Sequence, residues 1–194
     1  MTTSPRRRGH DPESVLRTAV GVFNERGYDG TSMEDLARAL GVTKSAIYYH
    51  VPGKEQLLAR ALDRALDGLF EMIADERASS GRAIDRLEWV VRRSVAILVD
   101  RLPYVTLLLR VHGNSPTELR ALERRREFDR FVSALVKEAA ADGDIRPDID
   151  PALVTRLLFG TVNSITEWYQ PGRGATADDV AEAIVRISFD GLRV

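Results

Sequence analysis

The chain is 194 residues long, 44% hydrophobic and 29% charged, with a formal net charge of −1, the balance of a folded globular protein with room for one large or two smaller domains. It has no cysteine, which excludes disulfides and thiolate chemistry, and no apolar run approaches the roughly 18–20 residues of a bilayer span. The basic start MTTSPRRRGH is not followed by an apolar stretch and does not read as a secretory signal, so a cytoplasmic protein with no membrane partner is expected.

Residues 1–10, with Arg6, Arg7 and Arg8, read as a flexible basic arm. Residues 1–60 carry an excess of Lys and Arg and the remainder an excess of Asp and Glu, which fits a nucleic-acid contact confined to one end. No segment alternates with period two, whereas long segments repeat apolar residues at three and four, predicting an all-α chain. Asp11 and Pro12 open a first helix that carries Leu16, Ala19, Val20 and Phe23 on one face and closes at Gly27. Residues 31–50 read as two short helices, and 54–78 as a longer one with Leu58, Ala61, Leu62, Ala65, Leu69 and Ile73 in one stripe. About five more helices follow. The spacing predicts one over 82–101, a short one over 104–111, and a long one from the Gly113–Pro116 break to about Ala141. Asp150 caps the next, with Pro151 at the first helical position, where its missing N–H costs nothing. The last follows the Pro171–Gly174 break and carries Val180, Ile184 and Ile187.

The most informative stretch is Thr31 to Lys54, TSMEDLARALGVTKSAIYYHVPGK. Thr31 and Glu34 have the spacing of a capping box, and Met33, Leu36, Ala37 and Leu40 then face inward. Ala37 leaves room for a steep helix crossing, Gly41 supplies the positive φ of a tight turn, and Ile47 plugs the second helix into the first. Together they form the steric skeleton of a helix-turn-helix. Thr43 caps the second helix, so Thr43, Lys44 and Ser45 stand at the end of a recognition helix that meets base edges in the major groove. Tyr48, Tyr49 and His50 offer donors for phosphates, and Lys54 could pair with a phosphate at the next helix's N-terminus. Thr31 and Ser32 complete the candidate DNA contacts. Singly, each of these is also an ordinary surface residue; as a set on this skeleton they point to double-stranded DNA.

From Val15 to Leu58 the chain resembles the DNA-binding domain of TetR-family regulators, carrying AVGVFNERGYDGTSMEDLARALGVTKSAIYYHVPGKEQLL against the family's F…GY..TS…A..AGV…..YYHF..K..L pattern. Val51 replaces a usual phenylalanine, a core change. The resemblance implies an all-α homodimer with a three-helix DNA-binding head over 11–56, a ligand-binding and dimerisation body over 57–194, and repression of a palindromic operator relieved by a small molecule. It also implies that Thr43, Lys44, Tyr48, Tyr49, His50 and Lys54 are the contact positions.

Within the body, RLLFGTVNSITEWYQP over 156–171 resembles TetR members that respond to acyl-CoA thioesters, with Gly160, Asn163, Trp168 and Tyr169 distinctive. The alternative is a dimer helix whose Gly160 allows close packing and whose Trp168 is core. Phe70, Trp89, Arg93, Arg110, His112 and Arg126 are candidate pocket residues with Asn163 and Trp168, because a ligand cavity needs a few polar groups among apolar walls. The triplet Arg124–Arg126 could hold phosphates or form a solvated face beside Glu118, Glu123 and Glu127. His112 could equally cap a helix C-terminus. Ala152, Leu157, Val162, Ile165, Val180, Ile184 and Ile187 are the expected apolar dimer surface.

No GxSxG elbow, HExxH pair or phosphate-cradling glycine loop is present, and His10, His50 and His112 are too dispersed for a metal cluster. No enzyme, metal or cofactor is expected. A DNA-architectural protein could share the helix-turn-helix but would not need so large a body. A multidrug-type sensor of the same family is the alternative to the thioester reading.

Overall fold

The computed structural model describes residues 11–192; the basic arm 1–10, residues 193 and 194, and the side chain of His50 lie outside the described set. Among the described residues the secondary structure is nine α-helices and one 3-10 turn, without a strand, as the apolar spacing predicts. Backbone contacts divide the chain into two compact units, Met1–Ala61 and Leu62–Val194.

In the first unit α1 (Pro12–Arg26) starts on Asp11, whose carboxylate accepts the Ser14 N–H at 2.6 Å, and buries Val15, Leu16, Ala19, Val20, Val22 and Phe23. Gly27, at φ 79°, ends it. Helix α2 (Met33–Leu40) starts one residue later than expected. Its capping box is Ser32 with Asp35, not Thr31 with Glu34. The reason is that Thr31 is only 1% exposed and its hydroxyl donates to the Gly27 carbonyl at 2.7 Å, closing the preceding turn. Gly41 turns the chain at φ 66°, in the left-handed region. Helix α3 (Lys44–His50) is capped by Thr43, and Leu36, Ala37, Ile47 and Val51 are all buried.

Helix α4 (Lys54–Ile73) runs from the first unit into the second. It ends short of the expected Ala78 because Asp75 caps a separate 3-10 turn, Glu76–Ala78, by accepting the Arg77 N–H. In the second unit α5 (Ala83–Asp100) is central, touching α6 (Leu102–Leu109), α7 (Pro116–Ala141), α8 (Pro151–Trp168), α9 (Ala177–Asp190) and the 3-10 turn. Its buried set, from Ala83 through Val90, Val91 and Val95 to Leu98, covers more than one face, as a helix enclosed by others requires. The turn from α6 to α7 is tied from inside: buried Glu118 accepts the backbone N–H groups of His112, Gly113 and Asn114 at 2.9–3.2 Å.

Helices α4 and α5 come close at Gly68. A Cβ there would lie 2.9 Å from both the Arg101 guanidinium carbon and the Ile97 side chain, and Arg101 uses the space to donate to the Arg64 carbonyl at 2.8 Å. Gly68→Val is therefore expected to destabilise the protein by about 1–3 kcal/mol through overpacking. A thermal unfolding midpoint equal to wild type would show that the two helices can separate at this point without penalty.

Candidate DNA interface and effector cavity

The first two turns of α3 present their polar side chains outward. Lys44 and Ser45 are exposed at its start, Tyr48 and Tyr49 are 45% and 89% exposed one turn on, and Ile47 between them is fully buried. One apolar side chain thus anchors the helix while four polar ones face water, the division a recognition helix needs. The Thr43 hydroxyl accepts the Ala46 N–H at 3.2 Å. Ser32 is exposed, and its hydroxyl donates to Asp35 at 2.6 Å while accepting the Asp35 N–H at 3.2 Å. The Ser32 hydroxyl first, then the Ser32 backbone N–H donating to the same carboxylate at 3.0 Å, hold the Asp35 carboxyl below its ordinary range, with Arg38 and Arg26 adding to the effect.

Two expected contacts are placed differently. The Thr31 side chain is buried and bonded to Gly27, so its hydroxyl does not face outward. The Lys54 ammonium is directed at three backbone carbonyls, Tyr28 and Thr31 at 3.0 Å and Asp29 at 3.4 Å, rather than away from the head. His50 falls outside the described side chains.

The second unit holds a small, largely apolar cavity of about 50 Å³. Ala65, Leu66 and Leu69 of α4 line it, with Ile97 and Leu98 of α5, Val105, Leu108 and Leu109 of α6, Phe128 of α7, and Phe159 and Val162 of α8. Its polar groups are Ser94, Arg125, Asp129 and Asn163. A wider cleft of about 610 Å³ lies between α7 and α8 and shares Arg125, Asp129, Phe159 and Asn163 with the cavity. Arg126, Arg130 and Arg156 also line that cleft. Burial pushes the Asp129 carboxyl above its ordinary value, against the opposing pull of Arg125 and Arg156. An apolar chamber opening onto a basic cleft suits an amphipathic anion.

Of the expected pocket residues, Asn163 lines both spaces and Arg126 the cleft, where it also pairs with Glu123 at 3.3 Å. Trp89 and Arg93 line a different cleft, between α4, the 3-10 turn and α5, with Arg77 stacked 4.9 Å over the Trp89 ring. Phe70 lies 4.8 Å beneath the Arg124 guanidinium. Arg110 and His112 are exposed in the α6–α7 turn, and Trp168 is 55% exposed; these four line none of the three spaces. Sequence reasoning missed Asp129 and Arg156, and it held Arg125 only as one of the Arg124–Arg126 triplet without separating it from its neighbours. A signal existed: Arg125 continues the apolar spacing of Ala121, Phe128, Val132 and Leu135, so it is a charge on the core stripe of α7. The arginine triplet splits three ways, because Arg124 turns to α4 and bonds Asp63 and Asp67 at 3.0 and 2.9 Å.

The expected dimer surface also divides. Val162, Ile165, Val180 and Ile184 are at most 6% exposed within the single chain and belong to its own core. What remains outside on α8 is a stripe of Leu153, Leu157, Gly160, Thr161, Ser164 and Trp168, with Ile187 on α9 at 78% exposure. No helix of the described residues is long and apolar enough to cross a membrane.

Residues 15–61 match the family model described as bacterial regulatory proteins, tetR family, and residues 80–192 match that of the tetracyclin repressor-like C-terminal domain. The HTH-type transcriptional repressor KstR2 of Rhodococcus jostii (strain RHA1) is 31% identical over 188 residues, covering 92% of this chain and 89% of that protein. The crystal structure of SCO3833, a TetR-family member from Streptomyces coelicolor A3, is 56% identical with a TM-score of 0.88, covering 100% of this chain and 96% of that one. The structure of AibR in complex with isovaleryl coenzyme A and operator DNA is 28% identical with a TM-score of 0.77, covering 92% and 97%.

Proposed function

The chain belongs to the TetR family of bacterial regulatory proteins, and from that premise we propose that it is a homodimeric transcriptional repressor that leaves a near-palindromic operator when an acyl-CoA thioester enters its C-terminal unit. Its family is one of transcriptional regulators, not enzymes. The observation that carries the thioester reading is the apolar cavity opening onto the arginine-lined cleft. The acyl group takes the cavity, and the phosphates of the coenzyme take Arg125, Arg156 and their neighbours. The likeness to a solved complex holding both isovaleryl coenzyme A and operator DNA supports the same reading.

The exposed face of α3 reads the major groove, with Lys44 and Ser45 at base edges and Tyr48 and Tyr49 on phosphates. Two such helices, one per protomer, address half-sites about one helical turn apart, roughly 34 Å. The dimer forms through the exposed α8 stripe, where Gly160 allows close approach, together with Ile187 of α9. Control is a population shift. Ala65, Leu66 and Leu69 line the cavity on the same helix whose start belongs to the DNA-binding unit. A thioester that prefers the DNA-incompetent state by about 1–3 kcal/mol lowers operator occupancy appreciably.

Three measurements test this. With a duplex selected from a random pool by the wild-type protein, Lys44→Ala and Tyr48→Phe should each weaken binding by about 1–3 kcal/mol. Wild-type affinity in both, with folding intact, removes α3 as the recognition helix. Leu157→Asp should yield a folded monomer in sedimentation, since Leu157 is 61% exposed in the single chain and its charge is buried only across an interface. A dimer of wild-type strength removes α8 from the interface. Finally, operator complexes titrated with CoA thioesters, the free acids and lipophilic cations should release only with thioesters. Release by cations alone, with every thioester silent, makes the protein a multidrug-type sensor, and a thioester that tightens the complex reverses the sign of control.

A further inference from the structure

We propose that Asp129 is a specificity-determining residue that keeps free carboxylic acids out of the cavity while admitting the uncharged acyl end of a thioester; this rests on the thioester reading above. The two adjoining spaces differ in charge. Among the described residues the charged groups lining the cavity are Arg125 and Asp129, one of each sign, and α4, α5 and α6 bring none. The cleft has Arg125, Arg126, Arg130 and Arg156 against the single carboxylate of Asp129. Arg126 and Arg130 share Glu123, and the cleft is positive even so. A ligand matched to both spaces is uncharged at one end and anionic at the other.

Asp129 stands where the spaces meet, in a wall shared with Arg125, Phe159 and Asn163. Arg125 precedes it by one turn of α7, yet neither side chain is spent on a hydrogen bond or an ion pair among the described residues. Both charges are therefore left to act on whatever enters. Burial raises the Asp129 carboxyl above its ordinary value, and Arg125 and then Arg156, the charged groups that face it, oppose the rise. A thioester passes this point with an uncharged carbonyl and leaves its phosphates in the cleft. The free acid of the same chain brings its own carboxylate up to that of Asp129. Two carboxylates in one partly buried site do not both stay ionised without cost, so the acid enters only by taking up a proton. Arg125 alone would hold an incoming carboxylate; Asp129 cancels that attraction.

The test is calorimetric binding of butyryl, hexanoyl and octanoyl chains to the full-length protein at neutral pH, each as CoA thioester, primary amide and free acid. The amide matches the acid in shape without its charge. In the wild type each amide should bind about tenfold more tightly than its acid. Residual acid binding should take up a proton, read from how the heat varies with the ionisation enthalpy of the buffer. Asp129→Asn should raise acid affinity about tenfold, abolish the proton uptake, and leave amide and thioester affinities near wild type. A wild-type protein that binds acid as tightly as amide, or an Asp129→Asn variant that gains nothing for acids, overturns the proposal. If Asp129→Asn does not fold, the wild-type ratio of amide to acid and the proton uptake decide it. If every thioester is silent, the thioester reading falls, and the amides and acids, which need only the cavity, still decide the role of Asp129.

Discussion

Helix α4 has to satisfy two hydrophobic cores in succession without a break. Leu57, Leu58 and Ala61 are buried in the first unit, and Leu62, Ala65, Leu66 and Met72 in the second, each at most 4% exposed. The unit boundary falls inside a regular helix. One inserted residue would turn every later side chain by about 100° and swing Ala65 and Leu66 off the cavity wall. The same continuity gives a ligand in the second unit a covalent route to the first, since α4 carries both cavity-lining residues and the lysine at the head. At Gly68 the helix gives up a side chain altogether so that α5 can approach.

Charge is used differently on the two sides of this helix. Arg101 lies across Gly68 and bonds a backbone carbonyl of α4, while Arg124 reaches across from α7 to two aspartates one turn apart. Isolated exposed ion pairs contribute little. Arg124 engages two carboxylates and stacks on Phe70, so its geometry is constrained on several sides at once. Its neighbour Arg125 lines the cavity beside Asp129, whose burial raises its carboxyl above the ordinary value. Consecutive residues on one helix thus hold the scaffold and face the chamber, which places cavity and α4 contacts within one turn of α7.

Much of the architecture was legible from local signals. Asp11 with Pro12, Thr43, and Asp150 with Pro151 start helices where their chemistry says they should, because a cap depends on neighbours within four residues. Gly41, Ile47 and the apolar stripes of α1 and α2 are equally local, and so is the outward set of Lys44, Ser45, Tyr48 and Tyr49. The local rules failed where two candidates competed. Thr31 and Ser32 both fit a cap, and the choice went to Ser32 because Thr31's hydroxyl was needed by the carbonyl of Gly27, a partner in the preceding turn.

The sequence by itself determined the helical class, the order and approximate ends of the helices, the helix-turn-helix and its outward face. All of these follow from periods and caps that act over a few residues. Only the tertiary structure decided the destinations of long polar side chains. Lys54 turned back to a loop more than twenty residues away, Arg124, Arg125 and Arg126 parted in three directions, and Trp89 and Arg93 left the chamber for another cleft. It also divided the apolar residues of α8 and α9 between the chain's own core and its exposed stripe. A long side chain sweeps a sphere that reaches several neighbouring elements, and a helix face acquires an inside only when another helix covers it. Both are settled by packing between segments distant in sequence, which no local period records.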